Sequence, residues 1–548
     1  MIYHYPALGT FITGRRGGSY VKALIVDALA SGKGERKATR DAIGAGPRAV
    51  AGILESKDIE ASIIEAETIL NGDFLSGFNL LLVSGMTGDI PSIRKVVSRW
   101  KRGPSLIGGP ITSDPEQALR RTGCELAVVG EGEETLSELL DAGLSRGRVP
   151  DEDSLRKIRG LAFKTGGSVE MTQLRRVIPR QKFDIYKPST STIKGYTLYR
   201  SARVYVEVLR GCSNYHRSLL GGDCESCGVC RKGSLLERYD CPLGTPPGCG
   251  YCSVPSLYGP PKSRSSGVIK DEVVALLKEG VTRIVLSAPC FLDYDRDLLV
   301  EPEPLTDPRS PEPNYNEIEK LLVSLMEIPR MRDETAAIMI ENIKASLVTE
   351  KAARLLGKYL AGTPVSIGFE TGSEAHSELM GRPSTPRETL TAIGRLRKAG
   401  MKPYVYFIHG LPGQTEETVN ETVKAIEDSR EEGAERIILY RFQSLPMSAF
   451  SAYPSAPPNV SDSGSSRIHE AAAKANMGVK ESMVGKVIRV VVAERYDRNR
   501  RQLVAYPLKH GPVVLIESPE PLEGRVIDVE VTGVASERIV NGRPVAMF

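Results

Sequence analysis

The chain has 548 residues, more than one hydrophobic core organises, and its length points to three or four domains. Its 41% apolar and 26% charged residues exclude a disordered or fibrous chain, and no run approaches the ~20 consecutive apolar residues of a membrane span. A formal net charge of +4 excludes a global field for a polyanion, so any nucleic-acid contact has to come from a local patch.

The opening Met1-Ile2-Tyr3-His4-Tyr5-Pro6 lacks the basic-then-apolar layout of a secretory signal, and a cytoplasmic protein without membrane association is expected. Across residues 1–150, apolar runs alternate with helical stretches. Strands are predicted at 22–29, 60–64, 78–84, 105–108 and 125–129, with helical periodicity at 46–57, 91–101 and 114–122. This alternation predicts right-handed βαβ units in a doubly wound parallel α/β sheet. Residues 151–199, polar and then basic, read as a connector. A second alternating series fills 200–455, with strands predicted at 203–209, 283–287, 337–340, 365–369, 403–408 and 436–441. Six βα repeats suffice for an incomplete (βα)6 barrel of the TIM type, whose chemistry sits at the C-terminal strand ends. The Pro- and Ser-rich span 456–480, with a short helix around 468–475, reads as a linker. Short strands predicted at 487–493, 502–507, 513–517, 525–531 and 537–540 make 481–548 a small C-terminal β-barrel.

Seven of the nine cysteines lie between Cys212 and Cys252. A disulfide scaffold would scatter them, so the clustering reads as metal or cluster ligation in a reducing compartment. Cys212 follows the first barrel strand, and Cys249-x2-Cys252 closes the long loop after it. Three thiolates on a four-iron cluster leave one iron open to a chelating substrate. Cys241 is the rival for the first ligand, and a zinc knuckle is the alternative use of the C-x2-C pair. Within the insertion, 213–248, stands Cys224-x2-Cys227-x2-Cys230-x10-Cys241, a pattern open to a second iron–sulfur cluster or a four-cysteine zinc site.

Leu209-Arg210-Gly211-Cys212 and Gly248-Cys249-Gly250-Tyr251-Cys252-Ser253-Val254-Pro255 resemble the two halves of the cysteine motif of radical S-adenosylmethionine (SAM) enzymes, in particular the methylthiotransferases, although 36 residues replace the usual three between the first two cysteines. Ile284–Ser287, Ile367-Gly368-Phe369-Glu370-Thr371-Gly372-Ser373-Glu374, Leu379-Met380-Gly381-Arg382-Pro383 and Phe407-Ile408-His409-Gly410-Leu411-Pro412-Gly413 are similar, in order, to further segments of that family. The resemblance implies a [4Fe–4S] cluster on Cys212, Cys249 and Cys252, and SAM contacts from Tyr251, Ser287, Glu370, Gly372, Ser373, Arg382 and His409. It also implies an electron-donor protein as partner and hydrogen abstraction by a 5′-deoxyadenosyl radical. Methylthiotransferases hold an auxiliary cluster on three cysteines of the N-terminal domain. Cys124 is the single cysteine there, so the expectation shifts to the insertion.

Val83–Gly88, Gly108-Gly109-Pro110 and Gly130-Glu131-Gly132-Glu133-Glu134 resemble the glycine-rich strand ends of cobalamin-binding domains, where backbone approaches a large ligand. His4 is the domain's one histidine and Ser31-Gly32-Lys33-Gly34 occupies the usual ligand loop, which leaves cobalamin open. Ser482–Val487 and Pro521–Val526 resemble a TRAM domain, which implies RNA contacts from Arg495, Arg498, Arg500, Arg501 and Lys509, with His510 alongside. The expected function is a radical SAM transferase that modifies an RNA nucleoside, tRNA foremost, by methylthio or methyl transfer. The alternative is a cobalamin-dependent radical SAM methyltransferase acting on a lipid, peptide or small metabolite. An iron–sulfur RNA-binding regulator is a third reading, which the SAM-site segments oppose.

Overall fold

The computed structural model describes residues 21–28, 30–34, 36, 40–72, 75–221, 224–457, 462–536 and 538–547. The first Met1–Pro6 segment and His4 lie outside the described residues.

Strands β1 (Lys22–Asp27), β2 (Ala42–Ile43), β3 (Glu60–Glu65), β4 (Leu80–Ser84), β5 (Ser105–Gly108) and β6 (Leu126–Val128) open the chain, followed by the hairpin β7 (Leu161–Thr165) and β8 (Ser168–Met171). The sheet order is β3-β1-β4-β5-β6-β7-β8, parallel up to β6 and antiparallel beyond. Both faces are covered by helices, which is why β1 and β4 read as unbroken apolar runs rather than alternating ones. The β7–β8 hairpin falls in the span read as a connector. Leu161, Ala162 and Phe163 are buried against β6, so their tertiary burial overrides the polar composition around them.

Strand β2 leaves this sheet altogether. It pairs in parallel with β9 (Arg203–Glu207), the first strand of the second series. Next come the short antiparallel pair β10 (Leu209–Arg210) and β11 (Lys262–Ser263), which bracket the cysteine-rich excursion. Strands β12 (Arg283–Ser287), β13 (Ala337–Ile340), β14 (Asn342–Ile343), β15 (Pro364–Glu370), β16 (Lys402–His409) and β17 (Arg436–Arg441) follow. Their orders are β13-β12-β9-β2 and β14-β15-β16-β17. Because β13 and β14 are halves of one extended run interrupted at Glu341, six parallel strands form the open barrel, and β2 lies beside β9 on its edge. A single apolar core runs from β1 and β4 through β9 and β12 into the barrel.

The span read as a linker is instead dominated by the helix Ser463–Glu481, which packs on the helix Glu416–Glu431 and on β17. Ile468 and Ala472, four residues apart, are buried on one face, and the Asn476 amide bridges the backbone of Ile437 with two 2.9 Å hydrogen bonds.

The C-terminal strands β18 (Val487–Arg495), β19 (Gln502–Pro507), β20 (Val513–Glu517), β21 (Val526–Val534) and β22 (Ile539–Met547) close into a barrel of order β18-β19-β20-β22-β21, with β20 and β22 parallel. That is the five-stranded Greek-key connectivity of OB-type barrels. It docks at the N-terminal ends of the larger barrel's strands. Ala337 shares an apolar cluster with Val491, Leu508 and Val526. Lys509 pairs with Glu334 at 2.8 Å, and His510 reaches Glu435 at 3.0 Å and Tyr404 at 2.9 Å.

Two consequences are measurable. Arg48, fully buried, joins the sheet domain to the barrel by donating to Glu272 at 2.8 Å and to the Tyr205 carbonyl at 2.6 Å, while Arg264 holds the other Glu272 oxygen at 2.6 Å. Glu272→Leu leaves two guanidiniums buried without an anion and is expected to destabilise the fold by about 3–5 kcal/mol in denaturant unfolding. Burial raises the Glu435 carboxyl, but the hydrogen bond and charge of His510, then Lys402, outweigh it and hold the group at about 2. A value depressed on folding stabilises the docked state above the ordinary 4.5 and loses that contribution as pH falls toward 2. Hydrogen exchange in β18 and β19 is expected to accelerate over that window, and Glu435→Gln to remove the pH dependence.

Candidate active site

The C-terminal strand ends of the doubly wound sheet and of the open barrel face one another across a single cavity of about 840 Å³. Its barrel side is lined by Cys212, Cys249 and Cys252 with Tyr251, Ser287, Glu370 and Arg382; its sheet side by Ser84, Gly108, Gly109 and the Gly130–Glu133 turn.

Two glycines bring the cysteines there. Gly211 has φ +89°, and a Cβ on it would lie 2.2 Å from the Pro260 carbonyl, so the chain turns from β10 into Cys212 only with glycine. A Cβ on Gly250 would overlap the Phe450 ring at 2.3 Å. The excursion between them folds out as the short helices Cys224–Cys227, Val229–Lys232 and Leu235–Tyr239 and returns to place Cys249 beside Cys212. The 36-residue gap therefore does not separate the two thiols. Asn214 spans them, its N–H donating to the Cys212 Sγ at 3.4 Å and its Nδ2 to the Cys249 Sγ at 3.3 Å. Arg382 Nη1 approaches the Cys249 Sγ at 3.8 Å from the other side. Burial pushes the Cys212 thiol up, and pushes Cys252 up to about 12 with the adjacent thiols reinforcing it. Such thiols ionise only against a compensating positive centre, and N–H donors already aimed at their sulfurs suit thiolate ligands of an iron–sulfur cluster.

Cys241 lies outside this cavity, as do Cys224, Cys227 and Cys230. Cys224 is buried, Cys227 exposed, and the other two half-buried. Among the described residues, no three His, Cys, Asp or Glu side chains close on one point as a single metal ion requires.

Beside the thiols, Arg382 organises the wall. It donates to the Tyr251 hydroxyl at 2.8 Å and to the Gly368 carbonyl at 2.5 Å, and lies 3.4 Å from Glu370. Glu370 is buried at φ +69°, a left-handed backbone for a non-glycine residue, where β15 carries a register shift. Strain of this kind persists only where surrounding contacts impose it, and here it turns the carboxylate into the cavity. Burial raises its pKa, with Arg382 opposing. Ser287 donates to Glu341 at 2.7 Å.

Three other positions expected to contact SAM are not brought to the cavity. Gly372 packs against the helix Glu416–Glu431, where a Cβ would meet the Glu421 carbonyl at 2.2 Å. Ser373 caps the helix Glu374–Leu379, and His409 is buried against Ser465 and His469 with its pKa lowered to about 4 by burial. All three are packed within the barrel and are not among the residues that line the cavity. Conversely, the cavity holds Glu341 and Lys344, which the sequence reading passed over. Charged residues directly after the apolar run 337–340 were the available signal, since barrel chemistry gathers at strand ends.

On the sheet side, Gly108 and Gly130 (φ +78°) have open space where a Cβ would stand: nothing lies within 4 Å of the first, and only the Leu257 carbonyl at 4.0 Å near the second. The Gly130–Glu133 turn is anchored to the cysteine loop by Arg210, which contacts Glu131 at 3.0 Å, Glu133 at 2.7 Å and Glu207 at 2.8 Å. Ser31–Gly34 lies away from the cavity, held by Asp89 and Ser92. Of the basic residues in the C-terminal barrel, Arg498, Arg500 and Arg501 are exposed in the β18–β19 turn. Arg495 donates to the Ser518 carbonyl at 3.1 Å, and Lys509 is occupied by Glu334. Among the described residues, no helix is long and apolar enough to cross a membrane.

Comparison with known proteins agrees with this geometry. The family model of the radical SAM superfamily matches residues 240–426. The uncharacterized protein MK0932 of Methanopyrus kandleri is 42% identical over 532 residues, 96% of either chain. The tRNA-2-methylthio-N(6)-dimethylallyladenosine synthase of Oceanobacillus iheyensis is 24% identical over 304 residues, 55% of either chain. Among solved structures, the radical SAM methyltransferase TsrM of Kitasatospora setae, with cobalamin and a [4Fe–4S] cluster bound, shares the fold with a TM-score of 0.56 at 16% identity, over 79% of this chain and 74% of that one. The radical SAM match implies a [4Fe–4S] cluster and SAM. The chain carries a radical SAM domain, belongs to one family with MK0932, is distantly similar in sequence to methylthiotransferases, and shares the fold of a cobalamin-bound radical SAM methyltransferase.

Proposed function

We propose that the protein is a cobalamin-dependent radical SAM methyltransferase whose substrate is RNA, tRNA foremost. One observation carries the reaction class: the three cavity thiols and the glycine-lined ends of the doubly wound sheet open into the same 840 Å³ space. Cys212, Cys249 and Cys252 would hold the cluster. Gly108 and Gly130 form the cradle for the flat face of a corrinoid, because their missing side chains leave that surface open, while Gly109 between β5 and the next turn packs on the Gly85 backbone. Residues 21–199 contain no histidine, so the sheet domain offers no imidazole to cobalt from its described part.

When bound, the cluster with SAM supplies one-electron chemistry and cobalamin a transferable methyl group. The protein's own work is placement and exclusion. Asn214 and Arg382 direct N–H groups at the ligand sulfurs, where they stabilise negative charge. Glu370 and Glu341 present carboxylates to the lumen, suited to the ammonium and sulfonium charges of SAM. Tyr406 and Tyr440, stacked with centroids 5.6 Å apart, give the lumen an aromatic wall against which a planar group can lie.

The RNA assignment rests on the C-terminal barrel. In OB-type connectivity the loop between the first two strands is one of the oligonucleotide-binding loops, and here it carries Arg498, Arg500 and Arg501, exposed at its tip. Methylthio transfer is the second reading, favoured by the relatives in sequence. The sheet domain has no cysteine triad for an auxiliary cluster, and Cys124 is fully buried.

Anaerobically prepared full-length protein is expected to retain cobalamin stoichiometrically, and Gly108→Phe with Gly130→Phe to lose it while keeping the iron–sulfur chromophore. Nucleoside mass spectrometry of RNA from a deletion strain should show one nucleoside lost and its precursor accumulated. A missing methyl group supports the proposal, a missing methylthio group the second reading, and an unchanged profile removes RNA as the substrate. Replacing Arg498, Arg500 and Arg501 by Gln should weaken tRNA binding and flatten its salt dependence.

A further inference from the structure

Behind Cys212 the barrel buries three ionised side chains that the steps above do not use. Asp293 and Arg296 are fully buried and the Lys344 side chain is 8% exposed. Asp293 is their centre: Arg296 Nη1 donates to one oxygen at 2.7 Å and the Lys344 ammonium to the other. Ser213, the residue after Cys212, is enclosed by all three. Its hydroxyl donates toward the Asp293 oxygens at 3.1 and 2.9 Å and accepts from Lys344 Nζ at 2.7 Å and Arg296 Nη1 at 3.4 Å.

The charges do not cancel. One carboxylate against a guanidinium and an ammonium leaves one buried positive charge beside the first cluster ligand. Arg296 turns outward, donating to the Pro311 carbonyl at 2.6 Å and the Asp307 carbonyl at 3.1 Å, whereas Lys344 lines the cavity. Among the described residues neither Arg296 nor Lys344 has an ion-pair partner besides Asp293, and Glu341 and Glu370 face the lumen without contacting either cation. Cys290, which accepts the Lys344 backbone N–H at 3.3 Å, is a thiol pushed up to about 12 by burial and stays neutral. Arg382 on the Cys249 side is a further cation and has Glu370 near it. A network serving only to pin Ser213 needs one cation for its one anion. The second is surplus to packing, and a surplus buried charge is costly unless a bound group of opposite sign repays it.

We infer that Lys344 is a positioning residue for electron transfer, whose ammonium raises the reduction potential of the cluster at Cys212 by stabilising the form that carries one more electron. The inference rests on the proposal that Cys212, Cys249 and Cys252 hold that cluster. Cluster potentials respond to nearby charge, hydrogen bonds to sulfur and solvent exposure, and Lys344 supplies the first in a site where solvent screens little.

The test is an electrochemical titration of reconstituted full-length protein, followed by electron paramagnetic resonance, with iron and sulfide per chain measured alongside. Lys344→Met is expected to shift the midpoint to more negative potential, Lys344→Arg to stay near the wild type, and Asp293→Asn to shift it positive. An unchanged midpoint in Lys344→Met at full cluster loading overturns the inference and leaves the cluster assignment standing. So does a common shift in Met and Arg variants, which would mark packing rather than charge. If Lys344→Met fails to load, Asp293→Asn decides, and no positive shift overturns the inference. Wild-type protein that loads no four-iron cluster overturns both the inference and the cluster assignment.

Discussion

The arrangement depends on a buried ion cluster centred on Arg210. Its guanidinium is shared by Glu131, Glu133 and Glu207, Lys262 adds a second cation at 2.7 Å from Glu131, and the Phe183 ring lies 4.7 Å from the guanidinium carbon. Arg210 stands two residues before Cys212, and its carboxylate partners stand in the turn that begins at Gly130. One side chain therefore fixes the glycine edge of the sheet relative to the first cysteine. Desolvating so many charges is expensive, and the cluster is stable only because every carboxylate in it contacts a cation. The same requirement makes the geometry specific: a shift of either domain would strand a buried charge.

That fixed juxtaposition gives the molecule a direction. Both sheets point their C-terminal strand ends at one cavity, as open α/β sheets and barrels do when they bind ligands. The C-terminal barrel docks at the opposite strand ends through Ala337, Glu334, Tyr404 and Glu435. Its Lys509 and His510 serve this docking, so the basic surface left for a polyanion is narrower than composition suggests and centres on the β18–β19 turn. A long substrate gripped there has to pass along the flank of the larger barrel to reach the thiols.

Much of this was legible in the sequence because apolar periodicity and glycine placement are local. The strands β4, β5, β12, β13 and β17 fall within two residues of the runs that predict them, and the closed barrel follows from short strands with turns between them. The C-x2-C pair and the glycines flanking it also declared themselves. What was not legible depended on partners far along the chain. Strand β2 is two residues long and exists only because β9 offers an edge. The β7–β8 hairpin hides in polar sequence, since three buried residues suffice to attach it. The helix Ser463–Glu481 sits behind a Pro- and Ser-rich stretch that dominates the local composition. Gly372, Ser373 and His409 carry the motif but face helices, a distinction set by the curvature of the barrel rather than by spacing. Glu341 and Lys344 escaped because single charges after a strand are common.

Strand β2 has a consequence for how the protein came to be built and how it can be taken apart. Residues 42–43 belong by sequence to the sheet domain and by hydrogen bonding to the barrel, and the helix Gly46–Glu55 that follows them carries Arg48 across the same boundary. The two units are therefore interleaved, like hooked fingers, rather than strung end to end. A cut at residue 199 would leave β9 with a bare edge and Glu272 without one of its cations, so neither half is a movable cassette. A change of cofactor in this architecture would therefore have to come from editing the cavity walls in place, not from exchanging the domain.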